Sequence, residues 1–343
     1  MKRIGMAVLL SSLLAAFPSA ARTLEILFID VEGGQSTLIV TPGGESLLID
    51  AGFGGRAGSR DVERILEAAR EAHVDRIDYL LITHLHPDHA GGVPELASRI
   101  PIGTFIDYGE PLGTDRMANG AFRGYEPVRN QGRHIQPQPG DRLPLKDLEA
   151  RIVSAGGIVL SKPLDGGGQP NDACANAEDP GDDGTENYRS IGVMLRFGSF
   201  RFLDLGDLSG NTLTSLVCPR NLVGHVSVYL IAHHGNYDSN VPAIYEALRP
   251  RVAIMNNGVA KGGSPEAFRT AHAAPGLEDV WQLHRSRNPR AENAPDPLIA
   301  NVDDGATAYW LKLTATNDGG FRIVNSRTGF TKTYSRKPRQ DQQ

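Results

Sequence analysis

The apolar run Ile77-Asp78-Tyr79-Leu80-Leu81-Ile82 opens directly into Thr83-His84-Leu85-His86-Pro87-Asp88-His89-Ala90-Gly91-Gly92, and this junction constrains the chain more than any other stretch. A short apolar run bounded by turn residues reads as a buried strand. Behind it stand three imidazoles and one carboxylate within six residues. Imidazole nitrogen and carboxylate oxygen are the donor set of zinc and its neighbours. On extended backbone, His84 and His86 point to one side, as a single cation requires. Pro87 keeps His86 extended and is expected to delay the following helix, so that Asp88 caps a turn near Ala90 and Asp88 and His89 face a second position. A solvated His-rich turn would suit one or two histidines; four donors in this order favour a metal site.

The first residues carry a separate signal. Met1-Lys2-Arg3, an apolar run over 4–17 and Pro18-Ser19-Ala20-Ala21 have the charged start, short core and small-residue exit of a secretory signal, with cleavage before Arg22. The core is shorter than the roughly 20 residues of a spanning helix. Residues 1–21 are therefore excluded from the fold, 22–335 are read as one domain and 336–343 as a disordered tail. The mature chain, with no transmembrane segment, is expected in the periplasm or outside the cell. In that oxidising setting the two cysteines, Cys174 and Cys218, are expected to form a disulfide. With a net charge of -5 and no block of Lys or Arg, the sequence shows no dedicated nucleic-acid-binding surface.

The remaining chain supplies more strands that end in polar donors. Residues 24–31, 36–40 and 46–50 read as a β-meander, the last strand ending at Asp50. Val62, Ile65, Leu66 and Ala69 fall at helical spacing within 61–72. Residues 108–145 offer only short elements, and 161–187 read as a long polar loop. The strand at 200–205 runs into Gly206-Asp207, and the strand at 226–232 ends at His233-His234-Gly235. Strands, helix and strand thus occur twice, which suggests two sheets face to face with helices outside.

These residues resemble a known family. His84-Leu85-His86-Pro87-Asp88-His89, Gly206-Asp207 and His233-His234-Gly235 are similar to the motifs of the metallo-β-lactamase fold superfamily. The opening Asp30-Val31-Glu32-Gly33-Gly34-Gln35-Ser36 and Leu48-Ile49-Asp50-Ala51-Gly52 look like its ComEC/Rec2-like branch, here stand-alone. The resemblance implies an αββα sandwich of two mixed sheets and a dinuclear site for two divalent ions, Zn2+ with Mn2+ as the alternative. His84 and His86 would hold one ion, Asp88 and His89 the other, Asp207 would bridge, and His234 or His233 would complete the second position. The third histidine that many members add to the first ion is absent near Asn187, which leaves Asn187, water or a distant residue such as His134. Gln35 stands where the branch often has an acid. Asp50 is expected behind a ligand, and His284 either against substrate or in a structural role.

The implied chemistry is hydrolysis by activated water, with Asp88 also positioning it. A phosphodiester-type substrate is the leading expectation, and a lactone or β-lactam the alternative on the same site. A non-catalytic metal-containing binding protein is the alternative of another class.

Overall fold

The computed structural model describes residues 22–176, 181, 184–303 and 308–336. The expected signal segment, most of the acidic run at 178–183 and the tail from 337 lie outside these residues. The strands, in chain order, are β1 (Leu24–Phe28), β2 (Thr37–Val40), β3 (Ser46–Ile49), β4 (Ile77–Leu81), β5 (Ile102–Ile106), β6 (Arg133–Ile135), β7 (Glu149–Ala155), β8 (Ile158–Val159), β9 (Gly192–Phe197), β10 (Phe200–Asp204), β11 (Val228–Leu230), β12 (Val252–Met255), β13 (Asp279–His284), β14 (Ile299–Asn301), β15 (Leu311–Ala315), β16 (Phe321–Asn325) and β17 (Thr331–Tyr334). The helices are α1 (Gly55–Glu71), α2 (Pro87–Ala90), α3 (Val93–Ala97), α4 (Arg116–Arg129), α5 (Gly210–Val217), α6 (Pro242–Leu248) and α7 (Pro265–His272).

Two mixed sheets result, as expected. One runs β17-β16-β15-β1-β2-β3-β4-β5-β6 and the other β14-β13-β12-β11-β10-β9-β7-β8. Alternation sorts the second sheet's side chains. Phe202, Val228, Leu230, Val252 and Ile254 enter the core between the sheets, where Phe28 and Phe202 meet edge to face at 5.7 Å. Their neighbours Leu203, Tyr229, Ala253 and Met255 enter an outer core with α5, α6 and α7. Period-2 side-chain alternation on a sheet buried on both faces requires this division. On the first sheet, Val62, Ile65, Leu66 and Ala69 of α1 are all buried, as their helical spacing predicted.

The topology positions the polar residues. β3, β4 and β5 run parallel, as do β10, β11 and β12. Parallel strands deliver their C-terminal residues to one edge, and the two packed sheets therefore bring Asp50, His84, Asp207 and His233-His234 together. Gly206 makes the approach tight: with φ +55, a Cβ there would lie 2.7 Å from Thr83 Cβ.

Two sequence expectations change. Pro87 does not delay a helix but begins one, occupying the first turn of α2 behind an extended His86. A missing N–H and a fixed φ suit that position. Residues 108–145 contain α4, a helix of 14 residues that Gly120, Gly124 and Pro127 conceal in the sequence. Asp115 caps it by accepting from the Met117 and Ala118 amides at 3.0 and 3.1 Å. Cys174 and Cys218 form the expected disulfide, with Cα atoms 5.7 Å apart. Among the described residues, no helix is long and apolar enough to cross a membrane.

Candidate metal centre

The end of β4 delivers His84 and His86 with their rings turned to each other, His84 Nε2 lying 3.0 Å from His86 Nδ1. The far nitrogen of His86, Nε2, is 2.9 Å from Asp115 Oδ2 at the start of α4. The α2 turn then rotates Asp88 and His89 toward the second sheet, where the chain after β10 and β11 supplies Asp207 and His234.

Asp88, His89, Asp207 and His234, all buried, place one donor atom each within 4.8 Å of one another. His89 Nε2 and His234 Nε2 both lie 3.2 Å from Asp207 Oδ2, and 3.5 and 3.4 Å from Asp88 Oδ2. Donors about 2.0–2.1 Å from a tetrahedral cation stand roughly 3.3–3.4 Å from each other, so these spacings fit one ion. The orphaned atoms agree: His89 Nε2, Asp207 Oδ1 and both ring nitrogens of His234 are buried without a hydrogen-bond partner. Buried polar atoms without partners are costly, and a cation would relieve the cost here. His84 Nε2 lies 3.9 Å from Asp207 Oδ2, so Asp207 stands between the His84-His86 pair and the four-donor cluster.

The charges of the cluster compensate one another: burial lowers the pKa of His89, but Asp207, Asp50 and Asp88 outweigh it and raise that pKa well above the ordinary histidine range, so a cation bound there would displace a proton. Burial pushes Asp207 and Asp88 toward neutrality, but the surrounding imidazoles, with His234 foremost for Asp207 and His89 for Asp88, outweigh it and hold both carboxyls well below their ordinary range. Burial, with the neighbouring His89, holds His84 neutral, the form that binds metal.

Asp50 lies against His89: its Oδ2 is 2.7 Å from His89 Nδ1, and it also accepts from the Thr83 amide and hydroxyl, each at 2.7 Å. His233 takes the outer place. Its Nε2 is 3.7 Å from Asp207 Oδ2 and its Nδ1 2.9 Å from Asp238. His233, His234 and Gly235 have φ of 52, 54 and 80, and consecutive left-handed non-glycine residues cost energy that sites, rather than ordinary turns, retain. Asn187 is buried in a short 3₁₀ turn, and His134 is held 3.0 Å from Asp107 on β6. His284 is buried beside Asp30 and Glu32 in a second His-carboxylate cluster. Arg64 lies 3.1 Å from Glu32 and 3.8 Å from Asp30 Oδ2, so one guanidinium is shared between the two carboxylates of that group.

Two neighbours of the cluster, Asp115 and Lys261, carry no signal in the sequence, and Gln35, noted there only as a departure from a motif, has partners that the sequence does not indicate. Asp115 lies 29 residues beyond His86, and nothing in its spacing links the two. Lys261 forms an ion pair with Asp88 Oδ2, its ammonium also 5.5 Å from the Phe53 ring centre. Gln35 donates to both oxygens of Asp204 at 3.1 Å and accepts from Asn256 at 3.1 Å, tying the first loop to the second sheet.

Residues 29–163 match the family model of the Metallo-beta-lactamase superfamily. Lactamase-like protein aptB of Emericella nidulans is 41% identical over 20% of this chain and 21% of its own length. Thioesterase pkgB of the same organism is 34% identical over 25% of this chain and 24% of its own. Recombination protein 2 of Haemophilus influenzae is 23% identical over 92% of this chain and 32% of its own. The chain thus spans about a fifth to a third of the length of the curated relatives it matches. Among solved structures, the metallo-beta-lactamase fold protein YhfI from Bacillus subtilis is similar at 12% identity, over 76% of this chain and 96% of that one, with a TM-score of 0.43. The match to the Metallo-beta-lactamase superfamily model thus spans less than half of the chain and includes His84, His86, Asp88 and His89, with Asp207 and His234 lying beyond it.

Proposed function

We propose that this chain is an exported metal-dependent hydrolase acting on a phosphodiester-type substrate. The observation that carries the hydrolase reading is the buried cluster Asp88, His89, Asp207 and His234 with its orphaned donor atoms. In this reading Asp88, His89, Asp207 and His234 would hold one cation, and His84 and His86 would hold the other together with Asp207, with His233 as the further imidazole at the cleft. Two divalent ions, zinc by donor set or manganese, would supply Lewis acidity and a water that ionises near neutral pH. The chain's own residues do the rest. Asp50 and Asp115 fix the rings of His89 and His86, as carboxylates behind ligating histidines do. Asp88 orients the attacking water. Lys261, with its side chain 39% exposed beside Asp88, faces whatever enters the cleft and favours an anionic substrate. Export is supported by the signal-like start of the sequence and by the Cys174–Cys218 disulfide.

A second reading, hydrolysis of an acyl bond in a lactone, β-lactam or thioester, is favoured by the names of the short matches, two of which are thioesterases. The test is a panel of bis-p-nitrophenyl phosphate, a homoserine lactone, nitrocefin and an acyl thioester against protein loaded with zinc or manganese, with Asp207→Ala as control. Diester turnover lost in the control supports the proposal. Turnover of acyl substrates alone replaces it with the second reading, and stoichiometric metal without any turnover replaces both with a metal-containing binding protein. Recovery of the chain outside the cytoplasm, beginning at Arg22, tests export; an intact Met1 in the cytoplasm overturns it.

A further inference from the structure

The outer face of the second sheet carries a cavity of about 360 Å³ that shares no residue with the metal centre. It lies toward Arg201, near the start of β10, whereas the metal centre lies beyond Asp204, at that strand's other end. Four cations line it, Arg151, Lys162, Arg196 and Arg201, against two carboxylates, Glu149 and Asp165, a surplus of two positive charges.

The carboxylates are already engaged. Arg151 Nε is 3.1 Å from Glu149 and its Nη1 donates to the Gly140 carbonyl at 3.1 Å. Arg196 is 3.1 Å from Asp165 and 3.9 Å from Glu149. Among the described residues, neither Arg201 nor Lys162 has a side-chain hydrogen bond or ion pair. Arg201 is nonetheless half-buried, its guanidinium enclosed by bare backbone: a Cβ on Gly166 or Gly224 would stand 3.0 or 3.1 Å from its Nη1. Burial, and then the charge of Arg196, lowers its proton affinity. A guanidinium has five fixed donors, and withdrawing them from water without an acceptor is unfavourable. The same cavity offers an apolar wall of Leu160, Leu164, Met194 and Val223.

We propose that this cavity binds a small organic anion, an oxyanion headgroup on a short apolar body, with Arg201 and Lys162 gripping the headgroup and the apolar wall receiving the body. A planar guanidinium matches carboxylate and phosphate alike, so the shared chemistry is an oxyanion with an alkyl or aryl substituent. The volume is at the lower end of small-ligand sites, which limits the body to a few carbons.

Calorimetric titration of the zinc-loaded protein at low salt with hexyl phosphate, hexanoate and inorganic phosphate tests the proposal. Hexyl phosphate or hexanoate is expected to bind, the stronger of the two identifying the headgroup, and inorganic phosphate to bind several-fold more weakly for want of a body. Arg201→Met should weaken binding at least tenfold, and Lys162→Met several-fold. Asp207→Ala should leave it unchanged. No binding of either alkyl probe at millimolar concentration, equal binding by folded Arg201→Met, or loss in Asp207→Ala would each overturn the proposal. Should Arg201→Met not fold, Lys162→Met, altered at an exposed position, decides: unchanged binding overturns the assignment.

Discussion

Asp115 lies 2.9 Å from His86 on the side of the ring opposite His84, so one carboxylate both caps α4 and fixes the orientation of a candidate ligand. The two roles use different oxygens. Oδ1 accepts from Met117 and Ala118, whereas Oδ2 meets His86 and the Glu186 amide. Asp115→Asn keeps the Oδ1 cap but sets an amide nitrogen, which cannot accept, against the buried Glu186 N–H, so a stability loss of about 1–3 kcal/mol is expected together with the loss of charge behind His86. Metal affinity at the His84-His86 position is expected to fall about 10–100-fold, read by competition with a chromophoric chelator. Asp115→Ala should add a cap loss of about 1 kcal/mol. Equal affinity in wild type and Asp115→Asn would remove Asp115 from the site.

Asp204 gives a pH dependence of definite sign. Burial raises its pKa to about 7, although the Gly206 amide and Gln35 donate to it. The folded state therefore holds this proton more tightly than the unfolded chain. Between the unfolded value near 4 and the folded value near 7, this group's contribution to stability falls as pH rises. Asp204→Asn cannot titrate, and relative to wild type it is expected to gain a few kcal/mol between pH 4 and pH 7, with cations chelated. Urea midpoints at several pH values measure this. Parallel curves for the two proteins would show that Asp204 is ionised in the fold.

The legible part of the site was the part that touches the chain's own periodicity. His84, His86, Asp88, His89, Asp207 and His234 each follow an apolar run, and parallel strands must bring such ends to one edge. That edge, the two sheets and the helix bearing Val62, Ile65, Leu66 and Ala69 could be read without coordinates. Asp115 and Lys261 could not, because each reaches the site from a segment with no apolar period of its own and is placed by tertiary packing. Gln35 illustrates the same limit. As a departure from a motif it said nothing, yet in the fold it bridges Asp204 and Asn256 between the two sheets. α4 stayed hidden because helix-breaking residue types fill its exposed face, while Ala118 and Tyr125 turn inward.

The Cys174–Cys218 bond closes a separation of 44 residues and anchors a polar segment that Asn171 also ties down, donating to the Val217 and Ala243 carbonyls at 3.2 and 2.9 Å. Constraining a loop of this length in the unfolded chain stabilises the fold by about 2–4 kcal/mol. The double substitution Cys174→Ser, Cys218→Ser is expected to lower unfolding free energy by that amount and to leave metal stoichiometry intact, since Asp207, the one cluster donor between the two cysteines, follows β10 and is placed by the sheet rather than by the disulfide. Loss of bound metal in the folded variant would instead show that the segment supports the centre.

Lys261 and a cation at the four-donor cluster compete for the same Asp88 oxygen. Under the hydrolase reading, a cation held by the cluster would displace the ammonium from Asp88 and leave it to face an anionic substrate. Lys261→Met is therefore expected to bind metal at least as tightly as wild type. Under the diesterase reading, its kcat/KM for bis-p-nitrophenyl phosphate should fall roughly 10–100-fold, the loss of one charge-assisted contact of about 1.5–3 kcal/mol. A neutral homoserine lactone, should it be turned over at all, would be spared. Metal titration and paired kinetics on the two substrates read these effects separately. Equal losses on both substrates would mean that Lys261 acts through Asp88 rather than on the substrate, and weaker metal binding would mean that it organises the centre itself.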